Sequence, residues 1–178
     1  GLIIKTFILG VIVTLPVIIV ELIVNAFEGF FGWLPLLYPL FRAFVVAALC
    51  EEVFKLLIVK IYVYNKFDFD EMMDGIVYTI VASLGFACME NILYVMDGGI
   101  PVAILRAFTA VPMHALASGM MGYYIGKAKF ASTKHEERSL IYRGLWIAIL
   151  IHGFYDFFLF SMPVLTPFIG LAIFPLLI

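Results

Sequence analysis

The sequence predicts an all-α fold, a polytopic membrane bundle of about six transmembrane helices with spans 2 to 5 around a buried polar site. Three observations predict it. The 178 residues are 65% hydrophobic and 13% charged, against about 45–50% and about 25% in soluble domains. Mean hydropathy is +1.12. Turn signals and charges also cut the chain into apolar stretches close to the ~20 residues that cross a bilayer. A soluble globular enzyme is thereby excluded, as is a disordered chain. A net charge of −2 gives no basis for a nucleic-acid partner. Cys50 and Cys88 lie inside apolar runs, so no disulfide framework is expected.

The elements follow in order along residues 1–178, which read as one integral-membrane domain. Span 1 covers 3–27. Its 7–20 core resembles a signal peptide, but no small-residue cleavage site follows and the apolar run continues. Gly1 stands where an initiator Met would, so the start is expected to be trimmed. Residues 29–39, rich in Gly, Pro and aromatics, read as an interfacial loop leading into span 2 at 37–64. An acidic loop follows over 65–74. Span 3 covers 75–96 and closes at Asp97-Gly98-Gly99. Pro101 suits the first turn of span 4, at 101–126. The polar stretch 127–143 leads into span 5 at 139–160, and span 6 covers 164–178.

Basic residues orient the bundle. Lys60, Lys66, Lys127, Lys129, Lys134, Arg138 and Arg143 lie in or beside the loops after spans 2 and 4. Those loops share a side, and the positive-inside rule makes it the cytoplasmic side of a plasma membrane. Lys5 agrees, whereas Arg42 and Arg106 fall near the opposite face.

Glu51, Glu52, Lys55, Glu90, Asn91, His114, His152 and Asp156 sit well inside spans. A central ionisable residue costs about 2.5–3.5 kcal/mol on insertion scales, so these groups are expected to converge on one wet cavity. Lys55 has a structural reading, since Glu51 lies one turn before it. Small residues continue each polar row at a spacing of four: Ala43, Ala47, Glu51 and Lys55; Thr79, Ser83, Ala87 and Asn91; His114, Ser118, Gly122 and Gly126; Gly144, Ala148, His152 and Asp156. Such rows let helices approach closely in lipid. Measured along the helices, the polar groups lean towards the outer half of the bilayer.

Carboxylates and imidazoles in a low-dielectric site can activate water. Glu90, His114 and His152 make a His₂Glu set of the kind that binds catalytic zinc, with Glu51 or Glu52 as base. A metal-free Glu–His pair is the other option. Either way the expected reaction is hydrolysis of a bond in or near the membrane, with a peptide bond as the expected target. Two other classes stay open: a proton-coupled transporter or channel, and a non-catalytic membrane binding protein. His135-Glu136 lacks the second His of a zincin motif and reads as a solvated charge run.

The motifs carry a resemblance. Glu51-Glu52-Val53-Phe54-Lys55, Gly85-Phe86-Ala87-Cys88-Met89-Glu90-Asn91, His114-Ala115-Leu116-Ala117-Ser118-Gly119 and His152-Gly153-Phe154-Tyr155-Asp156-Phe157 occur in that order over about 41–160. The set resembles the PrsW family of intramembrane proteases, distantly similar to the CAAX prenyl endopeptidase (CPBP) superfamily. The resemblance implies a bacterial protease that makes the site-1 cut in a single-pass anti-sigma factor, on its extracytoplasmic side, during a stress response. It also implies that Glu51, Glu52, Glu90, His114 and His152 carry the site, and that related chains hold a further helix before span 1. The wider superfamily has His where Glu90 stands and Asn where Asp156 stands. An ionised Asp cannot donate to an oxyanion. That departure favours the zinc option, with Asp156 orienting His152 or binding metal itself.

Overall fold

A computed structural model describes residues 1–31, 34 and 36–173, with side chains up to residue 162. Parts of the expected interfacial loop at 32, 33 and 35 lie outside the described residues, as do residues 174–178 of the expected sixth span, of which 164–173 are described by backbone alone. Helices dominate, and no strand occurs among the described residues. They are α1 (Leu2–Asn25), α2 (Leu37–Phe41), α3 (Cys50–Leu57), α4 (Met72–Phe108), α5 (Ala110–Lys129) and α6 (Lys134–Ile173). Among the described residues, three stretches are long and apolar enough to cross a membrane: Leu2–Phe30, Met72–Lys129 and Lys134–Met162.

The second rod, 37–63, alternates its winding. The π-helical stretches Arg42–Leu49 and Ile58–Val63 flank α3. A π-turn bonds i to i+5, so it rotates each face relative to the four-residue rows expected from sequence. Both glutamates of α3 are buried although adjacent residues point about 100° apart, so neighbouring helices cover two sides of this turn.

α4 begins at a capping box formed by Glu71 and Asp74. It is broken at Gly99, whose φ of 72° is the only left-handed backbone among the described residues. That break falls in the Asp97-Gly98-Gly99 boundary expected between spans 3 and 4. A second break at Thr109 (φ −122°, ψ −68°) separates the short arm 100–108 from α5. α6 shows no such turn. It continues from Lys134 to Ile173, so the expected separation of span 5 from span 6 near 161–163 is absent from the helical path.

Close approach of backbones fixes the packing. A Cβ on Gly75 would collide with the main chain of Gly122 and Gly126, which locks α4 against α5. Gly10 meets the backbone of Ala82, and Gly85 that of Phe7, which seats α1 on α4. Gly153 leaves room for the ring of Phe44, joining α6 to the second rod. In lipid, where apolar burial gives helices little reason to associate, this glycine packing supplies the van der Waals contact.

Candidate active site

Glu51, Glu52 and Lys55 come from α3, Glu90 from the middle of α4, His114 from the start of α5, and His152 and Asp156 from α6. Glu51 is 4% exposed, Glu52 and Lys55 0%, His114 1% and His152 2%. The spacing on α3 explains the first contacts. One helical turn carries Lys55 back to residues three and four positions earlier. Its Nζ donates to Glu52 Oε1 at 2.8 Å and to Glu51 Oε2 at 3.1 Å. The ammonium also stands 4.5 Å from the centre of the Phe86 ring.

Lys55 sets the state of His114. An ammonium has only protons to give, so His114 Nδ1, 3.0 Å from Nζ, is the acceptor. The ring proton then lies on Nε2, which donates to Glu90 Oε2 at 3.0 Å. Arg106, from the arm after Gly99, holds the same oxygen at 2.8 Å through Nη2 and donates from Nε to Asn91 Oδ1 at 2.9 Å. Ser83 Oγ ties α4 to the carbonyl of His114 at 3.1 Å.

His152 lies between two carboxylates. Nδ1 is 2.9 Å from Glu52 Oε1, and Nε2 is 3.2 Å from Asp156 Oδ2. Glu51 Oε1 lies 3.9 Å from His152 Nε2, and Glu51 Oε2 lies 3.9 Å from His114 Nδ1. The two imidazoles meet edge to face, 4.9 Å apart. Glu52 Oε2 is a buried acceptor with no hydrogen-bond partner among the described residues.

A cavity of about 240 Å³ opens onto this cluster. Glu51, Glu90, His114, His152 and Asp156 line it, and Glu52 stands behind. Its walls carry four carboxylates (Glu21, Glu51, Glu90, Asp156) and two guanidiniums (Arg42, Arg106). Lys55 matches Glu52 behind the wall, so a formal excess of two negative charges remains.

Residues 1–178 match the family described as PrsW family intramembrane metalloprotease. The chain belongs to the PrsW family. Curated relatives bear the name Protease PrsW. That of Geobacillus kaustophilus is 40% identical over 159 residues, 89% of this chain and 67% of the relative. That of Oceanobacillus iheyensis is 39% identical over 177 residues, 96% and 77%. That of Bacillus subtilis is 37% identical over 164 residues, 90% and 71%. No solved structure matches. This PrsW chain is a membrane peptidase, and its bacterial relatives and apolar helices make it a bacterial integral membrane protein.

The family description implies a metal, and the donor chemistry fits one. Glu51, Glu52, His114 and His152 are all buried, and each offers a ligand atom within 4.8 Å of the others. Imidazole and carboxylate donors suit zinc. This grouping differs from the Glu90, His114 and His152 set expected from sequence. Glu90 stands on the far side of His114, where the Arg106 guanidinium and the His114 Nε2 proton share its Oε2.

Sequence reasoning missed three members of the cavity. Glu21 was legible as a lone acid inside the apolar run of α1, but nothing in the sequence says which helix faces the site. Arg42 and Arg106 read as interfacial basic residues, and the structure turns both into the cavity wall.

Proposed function

We propose that this chain hydrolyses a peptide bond in a single-pass membrane substrate of the anti-sigma-factor kind, at the Glu51, Glu52, His114 and His152 cluster. The supporting observation is the cavity itself: three of the four buried donors line it with Glu52 behind them, and a formal excess of two negative charges is one that a divalent cation offsets. His114, His152 and Glu52 are the residues we assign to holding that cation: the unpartnered Oε2 of Glu52 would be the carboxylate donor, and the cation would replace Lys55 at His114 Nδ1 and the Asp156 contact at His152 Nε2. When bound, zinc polarises a carbonyl and makes water more acidic.

The chain's own residues do the rest. Glu51 takes the proton of the attacking water at Oε1, since its Oε2 is engaged by Lys55. Glu52 Oε1 orients His152 through Nδ1, and Glu90 orients His114 through Nε2. Asp156, beside His152 Nε2, would meet the same cation as a further carboxylate. Apolar helices around the cavity exclude bulk water.

A helical substrate must unwind before attack, because its carbonyls are bonded within the helix. Unwinding is easiest near the interface. We therefore place the cut at the extracytoplasmic end of the substrate helix, with the loops after spans 2 and 4 cytoplasmic. The test is to incubate purified protein with a single-pass substrate and map the product termini by mass spectrometry. Glu51→Gln and His152→Ala should each abolish the products. A cut in the cytoplasmic half would overturn the placement, and metal retained by His114→Ala and His152→Ala would overturn the ligand assignment.

A further inference from the structure

Two charged side chains in the cavity wall take no part in the cluster. Glu21 lies one turn from the end of α1, half-buried, and makes no hydrogen bond or ion pair among the described residues. Arg42 opens the π-helical stretch of the second rod. Its guanidinium lies 5.1 Å from the centre of the Phe160 ring and 5.8 Å from that of Tyr38. Its one hydrogen bond among the described residues is a long one, 3.4 Å from Nη1 to the Tyr38 hydroxyl. No carboxylate reaches it among the described residues, Glu21 included.

A free acceptor and a free multiple donor in one membrane-embedded cavity call for a ligand that supplies both complements. Unwound polypeptide does so. Each residue released from a helix exposes one N–H and one C=O, and in a bilayer each unsatisfied group costs several kcal/mol. Ring contacts hold the Arg42 guanidinium in place, so little side-chain freedom is lost when it donates. Arg42 also lies nine positions before Glu51 on the same rod, roughly 13–14 Å at the α-helical rise and somewhat less where the rod is π-wound. An extended peptide covers that distance in about three to four residues.

We infer that Glu21 and Arg42 form a backbone clamp, in which Glu21 accepts from an N–H and Arg42 donates to a C=O of the unwound substrate a few residues from the scissile bond. The inference rests on the hydrolytic site proposed above.

Two substrates separate it from a merely structural role: a single-pass helix, and the same segment with the amides flanking the scissile bond replaced by esters, which removes the N–H donors and weakens the C=O acceptors. Glu21→Leu and Arg42→Leu should each raise KM for the all-amide substrate by about tenfold or more and leave kcat within about threefold. On the ester substrate, which the parent itself should bind less well, each variant should match the parent within about threefold, which also shows that it folds. Glu21→Gln, which keeps an acceptor but no charge, should stay close to the parent. Equal loss on both substrates, no loss on either, or a Glu21→Gln as impaired as Glu21→Leu would each overturn the clamp. The last outcome would assign Glu21 to cation binding, and retained activity with a changed dependence on anionic lipid would assign Arg42 to the headgroup layer. If Glu51→Gln and His152→Ala cut both substrates, the hydrolytic site itself is misplaced. If they cut neither and the Leu variants fail to discriminate, only the clamp falls.

Discussion

Two lysine–glutamate clusters occur among the described residues, and their contacts are nearly the same length. In the cavity, Lys55 pairs with Glu52 at 2.8 Å, both side chains 0% exposed. At the other end, Lys134 pairs with Glu137 at 2.7 Å with side chains 88% and 13% exposed. Lys60 joins the latter at 2.6 Å. Distance therefore says little about what each pair does. The exposed pair loses little water on forming and is screened by salt, which leaves a contribution of about 0–1 kcal/mol. The buried pair has lost its hydration entirely, and its attraction only offsets that loss when every partner is present. The buried cluster is thus a device for keeping charges ionised at membrane depth, and the exposed one fastens the start of α6 to the end of the second rod.

Substitutions sharpen that contrast, beginning with the strongest. Lys55→Met strands Glu51 and Glu52 without their cation and should lower stability by about 3–5 kcal/mol, read by unfolding in detergent. Adding Glu52→Gln should recover part of the loss. A Lys55→Met protein with an unchanged unfolding midpoint would show that the cluster is better hydrated than its burial indicates.

Glu51→Gln should slow cleavage by about 10²–10⁴-fold, with a smaller effect on the unfolding midpoint than Lys55→Met. Parent protein should purify with about one divalent cation per chain and lose cleavage to a strong chelator, regaining it with zinc. Metal analysis of Glu52→Gln and Glu90→Gln then separates the two carboxylates. Loss from the first and retention by the second fits the grouping seen here, and the reverse result restores the His₂Glu set read from the motifs.

Arg106→Gln removes the charge that shares Glu90 Oε2 with His114. Cleavage should fall by roughly tenfold, a loss of about 1.4 kcal/mol in transition-state stabilisation. A fall as deep as that of Glu51→Gln would mean that Arg106 touches substrate. At the weak end, Lys134→Ala should move stability by under about 0.5 kcal/mol and leave turnover unchanged. A larger change would erase the difference between the two clusters.

Hydropathy and motif order made much of this legible beforehand. Apolar runs interrupted by Gly, Pro and charge are local properties, and they give the helices, the boundary at Gly99 and the glycine rows that meet at Gly75, Gly122 and Gly126. Ionisable residues inside those runs are expensive wherever they face lipid, so Glu51, Glu52, Glu90, His114, His152 and Asp156 stood out without coordinates. Their pairing did not. Whether Glu90 or Glu52 reaches a given imidazole depends on the rotation of one helix against another, which the π-winding of the second rod alters by more than a sequence rule of four can follow. The tautomer of His114 follows from Lys55, a residue that reads as a simple one-turn partner of Glu51 until three helices are brought together. Glu21 shows the same limit: one acid in an apolar helix is visible, but only packing of α1 on α4 turns it into the cavity. The sequence by itself determined which residues could not face lipid. Tertiary structure alone decided which of them face each other, because hydrogen bonds depend on tenths of an ångström and on direction, and neither is written in the spacing along a chain.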